Sequence, residues 1–329
     1  MRRVTVAEIM RETGLSRATV DRVLNGRGRV HPRTQHVIRE TIGRLQSPPA
    51  RPDTAPVADM MLRVGRGMTR QMIALWQARA VSGQVHDVYE AGEADVVGMI
   101  GQLCEDVSRP LIITLKNSGR IADALRNARL RGKRIISLVS DVSADARDHY
   151  IGIDNRAAGQ TAAFLIGRAL GARPSLAGVV VGDGAFRCHE DREIGFRTGL
   201  RAQFPKVVLA GEARGEDSPE LTFRAVTRML QDHPALGAIY NVGGGNQGLT
   251  AALRDAGRTD DVIVVGHDVN FVTAPLLHDR LLDCVLATDP AHLLDTAIAL
   301  ATAPKGSAPD SLLVDFGVYT RFNVPGFAQ

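Results

Sequence analysis

Cysteine is scarce. Cys104, Cys188 and Cys284 are the only three in 329 residues, and so sparse and odd a set fits neither a disulfide framework nor a zinc ligand set. They read as reduced core thiols. Long apolar runs are also missing: nothing approaches the roughly 18 residues of a membrane span. The basic start Met1-Arg2-Arg3 meets Glu8 before any run long enough for a secretory signal. These absences predict a cytoplasmic chain with no membrane partner. The nine histidines are scattered, His189-Glu190-Asp191 lacks a second histidine at metal-ligand spacing, and no G-x-S-x-G or Walker-type loop occurs. The expectation is therefore a non-enzyme with no metal and no cofactor. With 44% hydrophobic residues the chain can bury a substantial core, and its length suggests about two domains.

Lysine is absent from residues 1–51, which instead hold eleven arginines against Glu8, Glu12, Asp21 and Glu40, a net charge of +7. The whole chain carries +4, so the remainder carries −3. A basic head on a neutral-to-acidic body is the electrostatic footprint of a nucleic-acid-binding segment, although an ordinary solvated basic face is the plainer alternative.

Within the head, Thr5 is placed to cap a helix whose apolar positions Val6, Ile9 and Met10 share one face. Thr13-Gly14 ends it. Leu15 is a turn hydrophobe, and Ser16 is the N-cap candidate for a second helix, with Val20, Val23 and Leu24 inward and a stop at Asn25-Gly26. Two short helices joined by a glycine-containing turn make a helix-turn-helix. Its exposed side carries Arg17, Ala18, Asp21 and Arg22, types that suit base edges in a major groove. A third helix is expected from about Pro32, packing Val37, Ile38 and Leu45 beneath the pair.

The run Val4-Thr5-Val6-Ala7-Glu8-Ile9 followed by Gly14-Leu15-Ser16-Arg17-Ala18-Thr19-Val20-Asp21-Arg22-Val23-Leu24-Asn25-Gly26 resembles the headpiece of the LacI/GalR transcription regulators. That resemblance implies that Arg17, Ala18 and Arg22 read bases, that Thr5, Ser16, Thr19 and Asn25 hold phosphates or the turn, and that Arg29 belongs to the same DNA-binding set. Asp21 departs from the family's usual serine and is expected to face a base amino group or a neighbouring arginine. The family's hinge helix is not expected here: Pro48, Pro49, Pro52 and Pro56 remove backbone donors, and no leucine lies between Leu45 and Leu62 to wedge the minor groove. The expected organisation is a headpiece over 1–46, a proline-rich tether over 47–57 and a two-lobed domain over 58–329, with weaker operator bending than is usual.

From Val57 onward apolar runs alternate with helical stretches, most clearly at 111–114, 134–139, 178–181, 237–240 and 262–265. Alternation of this kind predicts an α/β body with parallel sheets covered on both faces, its ligand just beyond the carboxyl ends of the strands. Polar residues there, which equally suit helix capping, include Arg66, Lys116-Asn117, Ser140-Asp141, Asp154-Asn155, Asp183, Asn241, His267-Asp268 and Thr288-Asp289. Segments 149–159, Arg192-Glu193-Ile194-Gly195-Phe196 and Val265-Gly266-His267-Asp268 resemble the type I periplasmic-binding-protein-like effector domain of the same regulators. The candidate effector-binding residues are Arg66, Thr114, Asp141, Asp154, Glu190, Asn241, Asp268 and Thr288, with Asp268 foremost because the resemblance matches it to an aspartate that contacts ligand hydroxyls. Glu190 stands where the family often has an arginine, which argues for a polyol, neutral sugar or amine over an anion.

The reading is a homodimeric regulator, expected to be a repressor, of double-stranded operator DNA, governed by a small sugar-like molecule. Two alternatives are a solute-binding protein without DNA function, and a nucleotide-dependent oxidoreductase using Gly243–Gly248, which formally satisfies G-x-G-x-x-G after a strand.

Overall fold

The computed structural model describes residues 5–25, 30, 31, 34, 35, 37, 38, 41, 57–304, 306 and 308–326. Arg29, Pro32, Leu45 and the proline-rich tether up to Pro56 lie outside them. The chain divides into two compact units, Met1–Ala55 and Pro56–Gln329.

In the first unit, α1 (Val6–Thr13) and α2 (Arg17–Leu24) are joined through Gly14, whose φ of 66° is a left-handed conformation that suits glycine. Ser16 caps α2, its side chain accepting from the Thr19 amide, and Asn25 ends it by donating its Nδ2 to the Asp21 carbonyl at 2.9 Å. Ile9, Val20 and Ile38 form the buried centre. Residues 34, 35, 37, 38 and 41 are helical. Val37 and Leu24, expected inside, are exposed: Ile38 alone of the pair 37–38 faces the core, and Leu24 sits on the last turn of α2. Arg17, Ala18 and Arg22 are exposed, and Asp21 faces Arg17, with its Oδ2 3.8 Å from Nε.

The second unit is built on two six-stranded sheets. The first lobe holds β1 (Asp59–Leu62), β2 (Val85–Asp87), β3 (Leu111–Thr114), β4 (Ile135–Leu138) and β5 (His149–Gly152), ordered β11-β5-β4-β3-β1-β2 and all parallel. The second holds β6 (Ser175–Val181), β7 (Val207–Arg214), β8 (Leu236–Asn241), β9 (Ile263–His267) and β10 (Cys284–Ala287), ordered β12-β10-β9-β8-β6-β7. β11 (Ser311–Leu313) completes the first sheet, and β12 (Gly317–Tyr319) closes the second antiparallel to β10. The chain therefore crosses between lobes after β5, after β10 and between β11 and β12. Every residue of β1, β3, β4, β5 and β10 is buried. Helices on both faces leave no solvent side to a parallel strand, so its sequence is mostly apolar and does not alternate, with the few polar residues (Asp59, Thr114, Ser137, His149) buried as well.

The helices α3 (Arg66–Ala78), α4 (Glu93–Leu103) and α5 (Gly119–Leu130) cover the first sheet, joined by α11 (Pro290–Thr302) on its return from the second lobe. The second lobe carries α6 (Asn155–Leu170), α7 (Arg187–Gln203), α8 (Pro219–Asp232), α9 (Asn246–Asp255) and α10 (Thr273–His278). The tightest helix pair is α6 on α7. A Cβ on Gly159 would stand 2.0 Å from the Arg192 carbonyl oxygen, and one on Gly195 would stand 2.2 Å from the Arg156 carbonyl oxygen. Only hydrogen fits between these backbones. Gly159→Val is expected to destabilise the second unit by about 3 kcal/mol, the upper range for overpacking a rigid site, read from urea unfolding; an unchanged midpoint rejects the close approach.

Candidate functional site

A cavity of about 620 Å³ opens between the strand ends of the two lobes. Arg63 to Met68, Tyr89 and Glu90, Thr114, Val139 and Ser140 line it from the first lobe; Phe186, Cys188, His189, Arg192, the 217–220 and 243–247 segments, His267, Asp268, Asn270, Val272 and Thr273 line it from the second. Its volume suits a small ligand.

Arg192 is 4% exposed. It donates from Nε to Asn155 Oδ1 and from Nη1 to the Val242 carbonyl oxygen, both at 2.8 Å. Both acceptors are neutral, and among the described residues no carboxylate forms an ion pair with it and Nη2 has no hydrogen-bond partner. A buried guanidinium in this state is costly unless a further acceptor reaches it. Asp268 faces the same cavity, and burial raises its carboxyl above the usual range despite the opposing charges of Arg192 and His189. His267, 1% exposed, shares a 2.7 Å hydrogen bond with Tyr240 Oη through Nε2, while its buried Nδ1 has no partner. Burial holds this imidazole neutral. Donors and acceptors of both charges thus converge on one volume.

Backbone strain marks the same place. Val139, Asp217 and Asp268 all adopt positive φ, at 68°, 60° and 64°, and all three line the cavity. For a β-branched valine this is a rare conformation, and such strain gathers at functional sites. Helices α3, α7, α8 and α9 direct their first turns to the cavity; the N-cap positions of three of them, Gly65, Phe186 and Gly245, make no side-chain capping bond.

Of the residues expected to bind effector, Arg66, Thr114 and Asp268 line the cavity. Arg66 is exposed and faces Glu90 at 3.3 Å, and Thr114 donates its hydroxyl to the Leu138 carbonyl oxygen. Asn241 stands just behind the wall: its Nδ2 donates to the Gly244 carbonyl oxygen at 2.8 Å and to Asn246 Oδ1 at 2.9 Å, fixing a loop that does line it. The other four stand outside. Asp141 is consumed by Arg147, with bonds of 2.8 and 2.7 Å, and by the Ser137 hydroxyl. Asp154 caps α6 through the Ala157 amide. Thr288 donates to the Asp315 carbonyl oxygen. Glu190 is exposed on the first turn of α7, so it neither reverses the charge of the cavity nor argues against an anion there. Residues missed from sequence are Arg192, His189, Asp217, Phe186 and Tyr89, while His267 was among the strand-end candidates; the R-x-x-G-F run contained Arg192, whereas Asp217 sits in a turn with no motif.

The glycines of 243–248 have packing reasons of their own. A Cβ on Gly243 would stand 2.4 Å from Asp217 Oδ1, one on Gly248 would stand 1.8 Å from the Pro219 carbonyl oxygen, and the Gly244 amide donates to Asp217 Oδ1 at 2.7 Å. Among the described residues no group of His, Cys, Asp or Glu side chains is arranged to hold a metal ion, and no helix is long and apolar enough to cross a membrane.

The profile of the periplasmic binding protein domain matches residues 109–305, more than half of the chain. The chain belongs to this family. Its fold agrees with that of solved solute-binding proteins: one of an ABC transporter from Burkholderia graminis in complex with D-arabinose (TM-score 0.73, 18% identity, 84% of this chain and 100% of that one), the glucose-galactose binding protein GanP from Geobacillus stearothermophilus (TM-score 0.73, 14% identity, 83% and 100%), and one from Agrobacterium vitis with bound D-fucose (TM-score 0.72, 18% identity, 82% and 96%). At these identities the likeness shows the fold alone. A sequence search of curated proteins finds no match.

His189 gives this family member's cavity a titrating wall. Burial opposes its charge, but the Cys188 sulfur as thiolate and the Asp217 carboxylate outweigh burial and raise the imidazole from 6.5 to about 9. A raised folded-state value means the stabilisation is complete below pH 6.5 and is lost as the pH climbs through 9. Unfolding free energy is expected to fall between pH 7 and 10, and His189→Gln to flatten that fall; equal slopes in the two proteins reject the assignment.

Proposed function

We propose that the cavity binds a small hydroxylated molecule of the sugar or polyol class. The observation that carries this reading is Arg192 and Asp268 facing one cavity without pairing to each other: a hydroxyl placed between them accepts from the guanidinium and donates to the carboxylate, satisfying both. His267 Nδ1 supplies a further polar contact, and Tyr89 and Phe186 offer apolar faces to a sugar ring. Sugar complexes among the matched folds support the class without naming the ligand.

A panel of aldoses and polyols in a thermal-shift assay tests the proposal. A ligand present at a hundredfold excess over its Kd adds about 2.7 kcal/mol to stability, which raises Tm by roughly 5–10 °C in a domain of this size. Arg192→Ala is expected to weaken that ligand's binding by at least a hundredfold, about 3 kcal/mol for a lost charged hydrogen bond. Binding retained in this variant sinks the reading.

For the whole chain the matched folds favour a solute-binding protein, and what favours a ligand-controlled DNA regulator is the first unit. There α1 and α2 meet at Gly14 over a buried core, the outward side of α2 presents Arg17, Ala18 and Arg22, and residues 1–51 carry +7. On this second reading the protein is cytoplasmic and dimeric, with two α2 helices in successive major grooves, and ligand binding shifts DNA affinity through unequal affinity for two states. Selection from random duplexes by the full chain discriminates the two. A regulator enriches a pseudo-palindrome, and Arg22→Ala costs about 1–3 kcal/mol on that site with little effect on random DNA; a solute-binding protein enriches nothing.

A further inference from the structure

Beside the cavity, and not lining it, the lobes are joined by a second set of contacts. Lys116 and Asn117 follow β3 in the first lobe, and Asp183 and Ala185 follow β6 in the second. Lys116 Nζ forms an ion pair with Asp183 Oδ2, both side chains being about three-quarters buried, and the Asn117 amide donates to the Ala185 carbonyl oxygen at 2.8 Å. Each half is held within its own lobe. Asn117 Oδ1 accepts from the Ser143 amide at 2.9 Å, and Asp183 Oδ1 accepts from the Ala185 amide at 3.0 Å. Asp183 also reaches the cavity wall through its backbone. Its amide donates to Asp217 Oδ2 at 3.4 Å, and its carbonyl oxygen accepts from His189 Nδ1 at 3.3 Å. None of Lys116, Asn117, Asp183 and Ala185 lines the cavity.

We propose that Lys116 and Asp183, with the Asn117–Ala185 backbone bond, form a clasp that sets how firmly a ligand is held without selecting which ligand is held. This rests on the cavity being the ligand site. Shielding from solvent weakens screening, so the pair acts more strongly than an exposed one, and its energy appears only when the two lobes meet. The apparent Kd of a ligand that needs the closed state scales inversely with the closed fraction. Breaking the clasp therefore raises every Kd by one factor, seen mainly in the dissociation rate, and leaves the order of preference among ligands intact.

The test uses the full chain in four forms: unaltered, Lys116→Met, Asp183→Asn, and the exchange Lys116→Asp with Asp183→Lys. Spin labels go on Asn127→Cys in α5 and Gln231→Cys in α8, both exposed, while the three native cysteines are buried. The expected result, with no ligand added, is a longer and broader inter-label distance in each single variant and a return toward the parental distance in the exchange. Against a panel of aldopentoses and aldohexoses, the single variants are expected to raise Kd about tenfold with unchanged rank order, and the exchange to recover most of the loss. Identical distance distributions in all four overturn the clasp, as does a changed rank order. If no panel sugar binds even the parental chain, the ligand reading fails and the distances still decide the clasp.

Discussion

Placing a guanidinium inside a protein without a carboxylate is the constraint on which the second unit turns. Arg192 lies within the second lobe where helix, sheet and cavity meet, and its two protein bonds run to Asn155 on α6 and to the Val242 carbonyl oxygen beyond β8. Reaching both requires α6 and α7 to lie almost backbone to backbone. Gly159 and Gly195 permit that, each admitting the other helix's carbonyl oxygen where a methyl would collide. The Asp-Asn run at 154–155 and the R-x-x-G-F run at 192–196 are thus two halves of one device. Asp154 caps the helix, Asn155 grips the arginine, and the glycines set the distance between the helices.

The rest of the cavity answers to that charge. Asp268, pushed by burial toward its neutral form, remains close enough to feel Arg192 yet forms no ion pair with it. Asp217 is occupied by the Gly244 amide and lies 3.8 Å from His189. Had Asp268 been paired directly with the arginine, little would remain for a hydroxyl to do. Unpaired, the two form a donor and an acceptor already desolvated and already aimed, so a ligand meets less of the reorganisation cost that usually erodes affinity. The positive φ values at Val139, Asp217 and Asp268 belong to the same preorganisation, since such strain persists only where the surrounding structure holds it.

Much of this architecture was legible because buried parallel strands leave a coarse signature. The runs at 111–114, 134–139, 178–181, 237–240 and 262–265 all fall on strands apart from the terminal residues 134, 139 and 262, since a strand covered on both faces carries mostly apolar side chains with no regular polar alternation. The short edge strands β2, β11 and β12 lack that signature; their residues are only partly buried or exposed. Site residues were harder to read. The rule that ligands gather beyond strand ends put Arg66, Thr114 and Asp268 on the cavity wall, but the same strand ends start helices and hold salt bridges. Asp154 caps one of those helices, and Asp141 is bound to Arg147. Nothing in a linear sequence tells a capping aspartate from a ligand-facing one, because the difference lies in which way the next turn rotates. Arg192 was hidden for the opposite reason: it comes from within a helix and not from a strand end.

The two units raise separate questions, and their evidence does not transfer. Solute-binding proteins from three organisms are matched over 96–100% of their own lengths by 82–84% of this chain, so the fold of the second unit is accounted for without the arginine-rich segment. A shared fold fixes the position of a cavity and not the use made of its occupancy. A cleft that only carries a solute needs no segment bearing +7, whereas a cleft that reports on a solute needs something to report to. The charge on residues 1–51 therefore bears on what the binding event is for, and the buried arginine bears on whether it happens; either reading can fail while the other stands.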